Sequence, residues 1–247
     1  MTRRNAGPRT AMLLAAGLGR RMRPLTEGTS KTLLPLGGRT LLDHALDRLG
    51  EAGIETVVVN THLHADRVAG HLAARTTGPV TVVREADALL ETGGSVRAAL
   101  DVLGPDPFLV VNGDILWLDG PRGTLARVIA AWDTARADAI LLAHRTFQVQ
   151  AETGRGDFAI DKLGFIRRRE EREIVPYIYA GIQMLSPACL DGMPAGPFSM
   201  NRVWDAVIAR ERLLAVVHDG LWFHLSTPPD LAEAEFHLQT RVVGETR

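Results

Sequence analysis

The chain has 247 residues, 46% of them hydrophobic and 23% charged, with a formal net charge of −1. That is enough apolar material for a sizeable core, and the near-neutral balance offers no global basic field for nucleic acid or a membrane surface. The single cysteine, Cys189, excludes an internal disulfide and fits a reducing, cytoplasmic setting, and no apolar run nears the roughly 18 residues of a membrane-spanning helix. Residues 1–10 carry Arg3 and Arg4 with no apolar segment behind them, so they read as a loose tail and not a signal peptide. From residue 11 onward, strand patterns at 11–15, 56–60, 80–84, 108–112 and 139–144 alternate with helical patterns at 41–52, 65–74, 94–103 and 124–135. Leu41, Leu42, Ala45, Leu46 and Leu49 recur at helical spacing, and Gly53 ends that helix. Such alternation predicts an α/β fold: a Rossmann-like, doubly wound, mostly parallel sheet flanked by helices. The second half changes character. Antiparallel strands and turns are expected at 158–161, 165–169 and 174–185, a helix at 203–210, strands at 214–217 and 222–226, and a last helix at 229–239. There is no internal repeat, and too few residues remain for a β-helix domain. The expectation is one domain over 11–247, with halves meeting near residue 145.

The most informative stretch is Leu14-Ala15-Ala16-Gly17-Leu18-Gly19-Arg20-Arg21-Met22-Arg23-Pro24-Leu25-Thr26, with Lys31 close behind. Gly17 and Gly19 follow directly on a buried strand, where they let the backbone turn tightly and approach a ligand. Backbone N–H groups and clustered guanidinium groups at such a turn suit a polyphosphate, and open sheets of this kind bind ligands beyond the carboxyl ends of their strands. Two better-known phosphate loops are excluded. No glycine stands directly before Lys31, so GxxxxGK[ST] fails. Met22 stands where GxGxxG needs its third glycine, and the second strand ends in Asn60-Thr61-His62 without an acid for a ribose.

Further along, Asn112-Gly113-Asp114 closes an apolar strand. An aspartate there is placed to hold Mg²⁺, which prefers carboxylate, phosphate oxygen and water; a turn or helix-capping aspartate is the plainer alternative. Glu91-Thr92-Gly93-Gly94-Ser95 opens a helix and by itself reads as a cap. Gly154-Arg155-Gly156-Asp157-Phe158 and Tyr179-Ala180-Gly181 read as hairpin turns. Arg167, Arg168 and Arg169 form a run that is either an anion site or a solvated face.

LAAGxGxRMRPLT followed by a lysine resembles the N-terminal signature of the sugar-1-phosphate nucleotidyltransferases, and Leu33-Leu34-Pro35-Leu36-Gly37-Gly38 fits it as well. Here Ser30-Lys31 replaces the usual Pro-Lys. The resemblance implies transfer of a nucleoside monophosphate from a triphosphate to a sugar-1-phosphate, with pyrophosphate released. It makes 11–145 a nucleotide-binding half and 146–247 a sugar-binding half. Arg21, Lys31 and Asp114 would carry the chemistry. Leu14, Ala15, Ala16, Gly17, Gly19, Arg21, Thr92 and Gly93 would line the nucleotide site, with Glu85 reading the base. Asn112, Gly156, Asp157, Tyr179 and Gly181 would line the sugar site. Asp114 would bind Mg²⁺. The family's second metal aspartate is missing: His224 stands in its place and Ser226 replaces a glycine, so the second metal contact would be weak, water-mediated or shifted toward a metal such as Mn²⁺ that accepts imidazole, the alternative being a structural histidine. The short length and the ETGG, GRGDF and YAGI segments look most like the N-acetylmuramate-1-phosphate uridylyltransferases of bacterial cell-wall recycling. The alternatives are a mannose-1-phosphate guanylyltransferase, or a non-catalytic sensor that binds nucleotide-sugars.

Overall fold

The computed structural model describes residues 7–75, 78–85, 88–149 and 154–244. The first six residues of the expected tail therefore lie outside the described residues. In chain order the elements are β1 (Thr10–Leu14), β2 (Pro35–Leu36), β3 (Arg39–Thr40), α1 (Leu41–Glu51), β4 (Thr56–Thr61), α2 (Ala65–Ala73), β5 (Val80–Arg84), α3 (Glu91–Ala98), α4 (Leu100–Leu103), β6 (Phe108–Asn112), β7 (Ile115–Leu118), α5 (Thr124–Ala130), β8 (Ala139–Arg145), β9 (Phe158–Ile160), β10 (Ile166–Arg168), β11 (Tyr177–Leu185), α6 (Asn201–Ile208), β12 (Leu213–Val217), β13 (Leu221–His224) and α7 (Pro228–Gly244).

One nine-stranded sheet runs through both halves. Its order is β10-β9-β11-β6-β1-β4-β5, with β8 paired to β11 and β12 paired to β8. β6, β1, β4 and β5 run parallel to one another. β11 joins them antiparallel to β6, and β8 and β9 pair with β11 in the same sense. The mixed α/β class expected from the alternation is what forms. Side chains alternate across the central strands, as a pleated strand requires. Ala11, Leu13, Leu109 and Val111 face one core, which also holds Leu42, Leu46 and Leu49 of α1. Met12, Phe108 and Val110 face the other, with Val96 of α3 and Val203 and Trp204 of α6. Helices thus cover both faces, and the central strands are apolar on both sides for that reason.

Local chemistry sets the element ends. Thr40 caps α1 by accepting from the Asp43 N–H, and the stripe Leu41, Leu42, Ala45, Leu46, Leu49 is buried as its spacing predicts. Gly53 follows at φ +81°. Three details differ from expectation. The helix expected over 94–103 starts earlier and breaks at Ala99 into α3 and α4. The helix at 124 stops at Ala130. Ile115–Leu118 forms a strand of its own, pairing antiparallel with β13 so that His224 lies opposite Ile115. That pairing brings the C-terminal segment back across the carboxyl end of β6. Among the described residues, no helix is long and apolar enough to cross a membrane.

Candidate active site

The Gly-Arg loop is held from beneath. Met22 is fully buried, Thr26 Oγ1 donates to the Gly19 carbonyl at 2.9 Å, and Gly19 sits at φ +59° with Thr26 and Lys31 packed where a Cβ would point. The signature's Met and Thr therefore shape the loop and its Gly17 faces open space. From the other side, Asn60 Oδ1 accepts the Ala15 N–H at 2.8 Å. Asn60 Nδ2 donates in turn to Glu85 Oε1 at 2.6 Å.

Beyond the ends of β1 and β6 lies a cleft of two chambers. The first is lined by Leu14, Ala15, Ala16, Gly17, Lys31 and Asp114, together with Asn60, Leu89, Glu91 and Ser95. The second is lined by Asp157, Tyr179, Gly181, Trp204 and His224, among others. Thr92 and Asn112 line both, so the chambers share a wall and form one cleft. Their volumes, about 220 and 390 Å³, together fall in the range of small-molecule sites, about 300–1,000 Å³.

Lys31 and Asp114 meet in the wall of the first chamber. Lys31 is 9% exposed, and its Nζ donates to Asp114 Oδ2 at 2.9 Å. Burial alone would raise the Asp114 carboxyl, but His224 and Lys31 beside it hold it well below the usual carboxylate range. It is therefore ionised at neutral pH. Gly113 lets the chain turn here, because a Cβ would strike the Leu14 carbonyl at 2.6 Å. His224 Nε2 lies 3.7 Å from Asp114 Oδ2, but its hydrogen-bond contact is Ser226 Oγ at 2.8 Å. Arg21 Nη2 donates to that same hydroxyl at 3.1 Å. The two residues that depart from the resembled pattern thus form one unit that reaches the loop arginine. Among the described residues no group of three or more His, Cys, Asp or Glu could enclose a metal ion. A divalent cation would have one carboxylate, phosphate oxygens and water, which is how Mg²⁺ is commonly held.

Some expected residues lie elsewhere. Glu85 does not line the cleft. It is buried, and its carboxylate accepts from Asn60, from the Leu90 N–H at 2.9 Å and from Ser95 Oγ at 2.5 Å. Gly93 packs against Phe198, whose ring a Cβ would strike at 2.4 Å. Gly156 holds its turn against the Val175 carbonyl, and Gly181 admits Ile115 of β7 and Asn112; of these two only Gly181 lines the second chamber. Asp157 does line it, with Oδ2 accepting the Tyr179 N–H at 3.0 Å. Tyr179 Oη is buried and meets no described residue at standard hydrogen-bond geometry, and burial pushes that phenol up. Asn60, Thr32, Leu89 and Ser95 also line the first chamber and were not singled out from the sequence. Glu91 lines it at φ +59°, a backbone conformation that costs a non-glycine residue on the order of 1 kcal/mol or more. Asn60, ending a strand next to the Gly-Arg strand, was the signal available.

Residues 11–219 match the MobA-like NTP transferase domain. The chain is 39% identical to the N-acetylmuramate alpha-1-phosphate uridylyltransferase of Caulobacter vibrioides, over 94% of this chain and 97% of that one. It is 31% identical to the protein of the same name from Neisseria meningitidis serogroup B, over 91% and 96%. The mannose-1-phosphate guanylyltransferase catalytic subunit beta of Drosophila melanogaster is more distant, 26% identical over 89% of this chain and 60% of its own. A crystal structure of UDP-glucose pyrophosphorylase complexed with UDP-glucose superposes with a TM-score of 0.79 at 16% identity, over 94% of this chain and 99% of that one. That likeness is one of fold.

Proposed function

This chain belongs to the MobA-like NTP transferase family and is a nucleotidyltransferase; from that premise we propose that it transfers UMP from UTP to N-acetylmuramate α-1-phosphate, releasing pyrophosphate and forming UDP-N-acetylmuramate. The observation that carries the choice of substrates is the full-length likeness to the Caulobacter uridylyltransferase. The two-chambered cleft supports the reaction class, since it has room for a nucleotide at the Gly-Arg loop and a sugar beside Tyr179. In this role the enzyme acts in the cytoplasm, in the recycling of cell-wall sugars.

In the proposed step an oxygen of the sugar phosphate attacks the α-phosphorus in line, the bond to the β-phosphate breaks, and pyrophosphate leaves. No covalent enzyme intermediate is needed, so catalysis is positioning and charge neutralisation. Lys31 stabilises charge that grows on the α-phosphate. Arg21, tied to Ser226, holds the departing phosphates, and Ala16 and Gly17 border the first chamber. Asp114 is the carboxylate that would hold a Mg²⁺ ion, which when bound would supply charge neutralisation at the phosphates. His224 serves through Ser226 and not as a metal ligand. Tyr179 and Asp157 contact the sugar, and we take residues 11–145 and 146–247 as the two halves of one catalytic domain.

The test is a matrix of UTP, GTP, CTP and dTTP against N-acetylmuramate-, N-acetylglucosamine-, glucose- and mannose-1-phosphate. The highest kcat/KM is expected for UTP with N-acetylmuramate-1-phosphate. A higher value for GTP with mannose-1-phosphate would overturn the substrate assignment.

A further inference from the structure

The sugar-side chamber holds a cation that the proposed step does not use. Arg168 ends β10 and, among the described residues, is the one Lys or Arg that lines this chamber. Its neighbours are engaged elsewhere: Arg167 pairs with Glu173, and Arg169 Nη1 donates to the carbonyls of Glu170 and Glu171. Arg168 is held rigidly. Its guanidinium lies 4.9 Å from the Phe158 ring centroid and 5.6 Å from that of Trp204. Nε donates to Asp205 Oδ1 at 2.8 Å, and Nη2 donates to Asn201 Oδ1 at 2.9 Å and to its carbonyl at 3.4 Å. Nη1 makes no hydrogen bond with a described residue, so one edge of the fork is open.

Strand order separates Arg168 from the phosphates. β10, β9, β11 and β6 are successive neighbours, and three inter-strand steps amount to roughly 14 Å. β6 ends at Asn112, which leads into Asp114. A sugar-1-phosphate whose phosphate meets Asp114 therefore turns the far side of its ring, and not its phosphate, toward Arg168. A rigid guanidinium with a free edge is suited to a carboxylate. N-acetylmuramate differs from N-acetylglucosamine by a lactyl ether on O3, and that ether ends in a carboxylate. We infer that Arg168 recognises this lactyl carboxylate and sets the preference for the acidic sugar. The inference rests on the reading of the substrate given above.

Calorimetric titration with N-acetylmuramate-1-phosphate and its lactyl methyl ester tests it, in the presence of a non-hydrolysable UTP analogue. The proteins are wild type, Arg168→Lys and Arg168→Met, the last keeping an unbranched stem over Phe158 and Trp204. Wild type should bind the acid roughly tenfold or more tightly than the ester, the usual worth of a hydrogen bond to a charged group. Arg168→Met should lose that preference by weakening on the acid, and Arg168→Lys should keep part of it. An equal loss for acid and ester in Arg168→Met would overturn the assignment, as would a wild type that treats acid and ester alike, a result that needs no variant. An intact acid preference without turnover from UTP would refute the reaction proposed above and leave the carboxylate subsite standing.

Discussion

Lys31 and Asp114 form an ion pair in the first chamber, and in the proposed step they stand at its chemical centre. Removing the ammonium leaves a half-buried carboxylate without this partner and, in the proposed step, the α-phosphate without a preorganised donor. Lys31→Ala should lower kcat by on the order of 10²-fold or more, with a smaller change in UTP affinity; a normal kcat with a raised KM would make Lys31 a binding residue only. His224 and Ser226, read singly from the sequence, are two departures from the resembled pattern. In space they are one hydrogen-bonded unit that holds Arg21, a coupling across 205 residues that no local pattern reports. If Asp114 and phosphate oxygens hold the metal, His224→Ala should bind Mn²⁺ in the presence of UTP as wild type does, measured by electron paramagnetic resonance. A tenfold or greater weakening would make His224 a ligand.

At the scale of elements, Glu85 ties β4, β5 and the start of α3 together through Asn60, Leu90 and Ser95. Every partner is a donor. Glu85→Gln presents an amide N–H₂ to at least one of them and should cost about 1–3 kcal/mol, read as a lower denaturant midpoint at unchanged slope. The ratio of kcat/KM for UTP over GTP should stay the same; a collapse of that ratio would return Glu85 to the role of base reader. This residue shows how far the sequence can be read. The Gly-Arg loop, Lys31, Asp114 and the strand-helix alternation were legible because their signals are contiguous and their chemistry is local. Glu85 was misplaced because a glutamate just past a strand end shows its residue type but not the three donors that fold around it. Gly93 and Gly156 were read as ligand-facing, yet their missing side chains make room for Phe198 and Val175, partners supplied by tertiary packing. β7 escaped notice because the Gly113-Asp114 turn separates it from β6 by two residues, and its pairing partner lies about a hundred residues on in β13.

Across the whole molecule, both cores pack against one sheet, and part of that packing depends on pH. His144, in β8, is 2% exposed. Burial, then His218, pushes its imidazole down to about 4 from an ordinary value of 6.5. The unfolded chain therefore binds this proton first. The stabilisation is complete above about pH 6.5 and is lost as the pH falls toward about 4, at most roughly 3 kcal/mol over that window. His144→Phe should flatten this limb of the curve of unfolding free energy against pH; an unchanged slope would assign the acid sensitivity elsewhere. The sheet also carries both chambers of the cleft, and the proposed reaction is a single transfer that needs both substrates at once. Mass spectrometry of the products formed from UTP and N-acetylmuramate-1-phosphate, with pyrophosphate counted in parallel, tests this most directly. UDP-N-acetylmuramate and pyrophosphate are expected in equal amounts, and neither when one substrate is left out. Pyrophosphate released from UTP alone, or no nucleotide-sugar from this pair with Mg²⁺ present, would contradict it.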